Sequence, residues 1–221
     1  MTKRPARVDE LLAWLDRRGS KRNRDGMARY AIVSKKVFGV SVVTLRHKAK
    51  QIGRDHALAL ALWKTGWHEA RMLGALVDDP ARVTPAQMDR WCRDFDNWAI
   101  CDTVCGNLFD RTPHVWDRIR AWSMREREFE KRAAFALLVG IAVHDKRAPD
   151  APFMGSLRLT QRAARDERNF VKKAVSWALR TVGRRSPPLR RPAVQLARSL
   201  ATSTHASERW VGKDALKELT R

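Results

Sequence analysis

The stretch Asp96-Asn97-Trp98-Ala99-Ile100-Cys101-Asp102-Thr103-Val104-Cys105 holds the most unusual chemistry in the chain. Trp98, Cys101, Asp102 and Cys105 recur at spacings of three and four, so on a helix they share one face. Asp96 or Asn97 can cap the start of that helix. The face carries an indole, two thiols and one carboxylate. A carboxylate among apolar groups costs free energy unless it is partnered or used. Used, Asp102 could stabilise a developing positive charge. The plain alternative is a salt bridge to an arginine.

Other constellations are weaker. Trp67-His68-Glu69 resembles the start of a zinc-protease helix, but the second histidine is missing and Met72 stands in its place. His68 and Glu69 read instead as a helix start with a dipole-favoured acid. Cys101 and Cys105 share a face, yet no pattern nearby supplies the further ligands that zinc requires, so two small buried residues are expected. No metal site is expected. Most of the nine tryptophans should pack the core. Trp177 keeps different company, amid Lys172, Lys173 and Arg180, and aromatics among bases suit nucleic-acid surfaces.

These residues need elements to position them, and the periodicity is helical throughout. Helices are expected over 8–18, 25–38, 42–52, from Asp55 to near Gly66, and over 67–77. Thr84-Pro85 and Thr112-Pro113 each read as a cap followed by first-turn proline. Further helices are expected over 126–144, 152–165, 169–182, 188–202 and 207–219. No run shows strand alternation between hairpin turns. Arg71, Arg132, Lys173 and Lys213 each sit near the start of an apolar helix, the last three about forty residues apart. That period suits stacked helix pairs of HEAT or armadillo type. The expected fold is all-α: a superhelical stack of antiparallel helix pairs with a concave basic face, one domain over 1–221.

Composition bounds the partner. The 221 residues include 45 Lys and Arg against 24 Asp and Glu, a formal charge of +21. Such an excess points to a polyanion, nucleic acid first. Basic pairs and runs at 17–18, 21–24, 184–185 and 190–191 fall at expected helix ends, where phosphate contact is the better reading. Three cysteines give no disulfide framework and suit a reducing compartment. No apolar run has membrane-spanning length. A cytoplasmic, nucleoid-associated monomer without membrane contact or an obligatory protein partner is expected.

Several segments in order resemble the DNA alkylation repair proteins of AlkD type: Met27 to Tyr30, Phe38 to Ser41, Asp102 to Val104, Lys131 to Ala134, and Lys172 to Arg180. The resemblance implies a HEAT-like superhelix and a cofactor-free DNA glycosylase that excises cationic N3- or N7-alkylpurines from double-stranded DNA. It implies catalytic-cleft roles for Arg132 and Trp177, and a place near DNA for Tyr30. Active members read Trp-Trp-Asp-x-Val-Asp at the opening stretch, the last Asp being catalytic. Here Ile100 and Cys101 stand for the tryptophans and Cys105 for that Asp. A shift of about one turn offers Trp98 with Asp102 instead. The candidate catalytic set is therefore Asp102, Trp98, Arg132 and Trp177. The candidate DNA contacts are Tyr30, Lys35, Lys172, Lys173, Arg180, Arg184 and Arg185. The alternative is a non-catalytic HEAT-like protein that recognises damaged or branched DNA.

Overall fold

A computed structural model describes residues 4–220. The elements are helical: α1 (Arg4–Arg18), α2 (Lys21–Arg29), α3 (Val42–Ile52), α4 (His56–Lys64), α5 (His68–Val77), α6 (Pro85–Arg93), α7 (Trp98–Asn107), α8 (Val115–Ser123), α9 (Glu128–His144), α10 (Asp150–Ala163), α11 (Asn169–Arg185), α12 (Pro187–Ala201) and α13 (Ala206–Leu219). Short 3-10 turns lie at Pro80–Arg82 and Phe109–Arg111. The described residues contain no strand.

Local chemistry sets many of the boundaries. Ser41, Asp55 and Thr84 each accept a backbone N–H of the first turn of the helix they precede. Gly53, at φ 75°, closes α3 in a conformation that favours glycine. Pro85 takes the first position of α6, where its missing N–H is not needed.

From α4 onward outer and inner helices alternate, and α4/α5, α8/α9, α10/α11 and α12/α13 pack as pairs, while α6 packs on α9. The odd members pack on one another in a row from α5 to α13. This inner row is parallel. The Cys101 thiol meets the Phe129 carbonyl and Cys105 meets Ala133, both 28 residues on, so α7 and α9 advance together. Ser176 meets Asp214 and Arg180 meets Glu218, both 38 residues on, so α11 and α13 do the same. A parallel row gathers the helix N-termini at one edge and the C-termini at the other. The N-terminal edge is the positive end of each helix dipole. Arg71, Arg132, Lys173 and Lys213 fall on α5, α9, α11 and α13, all of the inner row. On α7 the place that Arg132 and Lys173 take in their helices, the fifth residue, holds Asp102.

Two expectations are corrected. Residues 25–38 do not form one helix. The helix starts earlier, at Lys21, because Ser20 caps it, and it ends at Arg29. Ala31 then adopts the left-handed φ of 55°. The following chain runs as an extended strap because Glu69 needs it. That fully buried carboxylate accepts the N–H groups of Phe38, Gly39 and Val40 at 2.9, 2.6 and 3.1 Å. Satisfying a buried charge outweighs the local helical pattern. Thr112 likewise does not cap α8; its hydroxyl donates back to the Phe109 carbonyl, and the helix begins at Val115.

The core is continuous along the stack. Trp63 and Trp91 stack at 3.9 Å, and Phe109 links Trp91 to Trp122. Buried indole N–H groups find carboxylates: Trp63 donates to Asp94 and Trp122 to Asp89. No described helix is long and apolar enough to cross a membrane.

Candidate nucleic-acid interface

Asn97, not Asp96, caps α7; its Oδ1 accepts from the N–H groups of Ala99 and Ile100 at 3.0 and 3.1 Å. That cap sets the rotation of the helix. Cys101, Val104 and Cys105 turn into the core, fully buried. Both thiols donate weakly to carbonyls of α9. Burial pushes the Cys105 thiol well above its ordinary range, so it stays protonated and inert. No cluster of metal-ligating side chains exists among the described residues.

Asp102 points to the boundary between α7 and α9 and is held there. Arg132 Nε donates to its Oδ1 at 2.9 Å and Nη2 to its Oδ2 at 2.7 Å, a bidentate pair. The third guanidinium nitrogen, Nη1, donates to the Phe170 carbonyl at 2.7 Å, on the first turn of α11. One arginine thus ties three successive inner helices together. The Arg132 side chain is 8% exposed and that of Asp102 19%. Burial holds the Asp102 carboxyl above its ordinary value, against the lowering charge and hydrogen bonds of Arg132. Burial also disfavours the Arg132 charge, but Asp102 overrides it and keeps the guanidinium ionised.

Around this pair the N-terminal edge opens a cleft of about 440 Å³. Its wall includes Arg29, Tyr30, Trp98, Arg132, Phe170 and Lys173. Among the described residues its lining contains no acid. The acids of the first turn of α9 are already committed. Glu130 accepts from Arg125 at 2.9 Å and Arg127 at 3.1 Å, and Glu128 accepts the Phe170 N–H at 3.2 Å. Trp98 Nε1 donates to the Tyr30 carbonyl at 2.8 Å, which fastens the strap to the start of α7. His68 N–H donates to the Lys36 carbonyl at 2.9 Å and fastens it to α5. Tyr30 is left 72% exposed at the lip of the cleft. Lys35 is exposed further along the strap.

The sequence candidates therefore divide. Tyr30, Trp98, Arg132 and Lys173 meet in one cleft, and Asp102 sits directly behind Arg132. Trp177 is half-buried against the core, one turn beyond Lys173, and is not part of the cleft wall. Lys172 turns aside to lie 5.3 Å from the Trp210 ring. Arg180 pairs with Glu218, and Arg184 pairs with the same carboxylate at 2.7 Å. Arg185 is used internally. It donates to the carbonyls of Ala142 and Ala148 at 2.9 and 2.7 Å and stacks 4.2 Å over Phe153. Arg29, Asn169 and Phe170 belong to the cleft and escaped sequence reasoning. The available signal was position: Arg29 precedes Tyr30, and Asn169-Phe170 opens the helix that carries Lys173.

An apolar and cationic wall beside parallel helix N-termini is suited to a polyanion carrying aromatic groups. Comparison with known proteins agrees with that reading. The family model described as DNA alkylation repair enzyme matches residues 11–219. One solved structure, described as "A new family of proteins related to the HEAT-like repeat DNA glycosylases with affinity for branched DNA structures", superposes with a TM-score of 0.79 at 18% identity. It covers 96% of this chain and 95% of its own. At that identity the likeness establishes the HEAT-like fold. No curated protein sequence matches significantly. With nearly the whole stack inside the family match, the chain belongs to the DNA alkylation repair enzyme family.

Proposed function

We propose that this protein holds DNA along the N-terminal edge of its inner helices and recognises damaged or branched DNA. The observation that carries the proposal is the acid-free cleft of Arg29, Tyr30, Trp98, Arg132 and Lys173. Free cations there, Arg29 and Lys173, would meet phosphates, and Tyr30 and Trp98 offer faces to unstacked bases. The structurally similar protein with affinity for branched DNA supports this choice of partner.

The Asp102–Arg132 pair bears on catalysis. Excision of a cationic alkylpurine passes through an oxocarbenium-like transition state, which a free carboxylate stabilises. Asp102 faces a guanidinium on both oxygens, so the net field at the cleft is not that of an anion. Cys105 lies in the core and offers no replacement. A second reading, alkylpurine glycosylase, is favoured by the residual exposure of Asp102. A DNA phosphate that drew Arg132 away would free the carboxylate at the cleft.

One experiment separates the two. Binding to a four-way junction and to linear duplex is measured beside release of 7-methylguanine from methylated duplex. The proposal expects salt-dependent binding that favours the junction, with no base release above background. Release that vanishes in Asp102→Asn would establish the glycosylase reading instead. Equal affinity at low and high salt would defeat both.

A further inference from the structure

Charge is not spread evenly along the chain. Residues 21–52, which span α2, the strap and α3, hold nine Lys and Arg and a single acid, a net of +8 in 32 residues against +21 in 221. That acid, Asp25, is already paired with Lys21 at 2.7 Å. Packing does not require these charges. α2 has no buried residue and is held by polar ties: Asn23 Nδ2 and Arg24 Nη1 donate to the Gly39 and Phe38 carbonyls, each at 2.9 Å. Lys36 reaches the Thr65 carbonyl, and Lys48 lies over the Trp14 ring. Arg22, Arg29, Lys35, Arg46 and Lys50 are exposed and make no ion pair, side-chain hydrogen bond or ring contact among the described residues.

The free cations follow a bent path. Ser41 and Val42 at the start of α3, His68 at the start of α5 and Ala99 in the first turn of α7 border one hollow of about 730 Å³ beside the strap. Arg22 and Arg29 stand in its wall, as does the paired Asp25. α3 therefore begins at the same N-terminal edge as the inner row, and Arg29 borders both this hollow and the cleft. From there α3 runs away from the edge. Val43, Arg46, His47 and Lys50 recur at helical spacing on its exposed face, while Leu45 and Ala49 turn inward. At 1.5 Å per residue Arg46 stands about 6 Å and Lys50 about 12 Å along the helix from Val42. The bases of the edge and those of α3 thus form two tracks that diverge near Arg29, and one straight duplex can follow only one of them.

We propose that α2, the strap and α3 hold a second arm of branched DNA by its phosphates, with the branch point beside Arg29 and Tyr30. The inference rests on the DNA-binding reading above: the first arm lies on the N-terminal edge, and the second track is what distinguishes a branch from linear duplex. Phosphate contacts suffice for this, so every base stays in its stack. An anionic membrane would attract the same charge, but continuity with the cleft through Arg29 favours DNA.

The test compares the full chain with Arg22→Ala/Arg46→Ala/Lys50→Ala, three exposed positions without packing partners. Affinities for a four-way junction and for a linear duplex are measured across a range of salt. Each phosphate contact adds about 0.9 to the slope of log K against log salt, so the variant should lose about 2 to 3 from its junction slope and at least about ten-fold in junction affinity. Its affinity and slope on linear duplex should match wild type, which also shows that it is folded. A variant that keeps the wild-type preference for the junction overturns the assignment. So does an equal loss on junction and linear duplex, which would make α3 an extension of the first track. Binding of wild type, but not of the variant, to phosphatidylserine vesicles, with junction preference intact in both, would give the patch to a membrane instead. Wild type without junction preference, or without DNA binding at all, overturns the reading above first, and this one with it.

Discussion

The two ends of α11 carry similar charges and do opposite things. At its N-terminal end Lys173 is exposed, lines the cleft and makes no ion pair. At its C-terminal end Arg180 and Arg184 share Glu218, and Arg185 is buried between two carbonyls and a phenyl ring. Sequence alone makes these bases equivalent. Packing separates them: Lys173 remains available, whereas the bases at the other end of α11 knit neighbouring repeats. Arg132 is the instructive contrast to Lys173 at the same edge. It spends all three guanidinium nitrogens on Asp102 and Phe170, so it braces the cleft that it lines.

The largest effect should come from that brace. Arg132→Met strands Asp102 without its counter-charge, and breaking a largely buried pair costs roughly 3–5 kcal/mol. Chemical denaturation measures it. The double variant Asp102→Leu/Arg132→Met should recover most of the loss, since it removes the charge left unpaired. A double variant no more stable than Arg132→Met alone would mean that Arg132 acts mainly through the Phe170 carbonyl.

Next comes the opposite edge. Arg185→Ala leaves the Ala142 and Ala148 carbonyls without their donor and should cost about 2 kcal/mol in the same experiment. It should leave DNA affinity unchanged. A variant with intact stability and weakened binding would move Arg185 to the DNA face and erase the contrast.

The smallest effect is at Asp166, before α11. Burial alone would raise its carboxyl, but hydrogen bonds from Arg168 and Lys131 hold it at about 2, below the ordinary 3.8. A depressed acid adds stability that is complete above its unfolded value and is lost as pH falls through the folded one. Wild type should therefore lose stability between about pH 4 and pH 2, and Asp166→Asn should flatten that part of the curve. Solvent screening keeps the difference below about 1 kcal/mol. Indistinguishable acid profiles would show that Lys131 and Arg168 do not brace this loop.

How much of this was legible in the sequence depends on the range of the interaction. Caps act over three residues, so Ser41, Asp55 and Thr84 announced their helices. The strap did not announce itself. Met27, Tyr30, Ala31 and Val33 keep a helical rhythm, but the group that pulls the chain straight is Glu69, about thirty residues away. Glu69 itself looked like an ordinary first-turn acid. Asp102 carried the signal of a carboxylate in need of a partner, and an arginine was the plain answer. That the partner is Arg132 follows only from the parallel neighbouring of α7 and α9. Arg180 and Arg184 looked free because Glu218 lies a whole repeat downstream.

The central claim, that DNA lies on the N-terminal edge, is tested most directly by the salt dependence of junction binding. Each phosphate contact contributes about 0.9 to the slope of log K against log salt. Arg29→Ala/Lys173→Ala should lower the slope by about 2 and weaken binding, while Arg184→Ala leaves both as in wild type. A slope unchanged in the double variant but reduced in Arg184→Ala would place the DNA on the opposite edge and contradict the account.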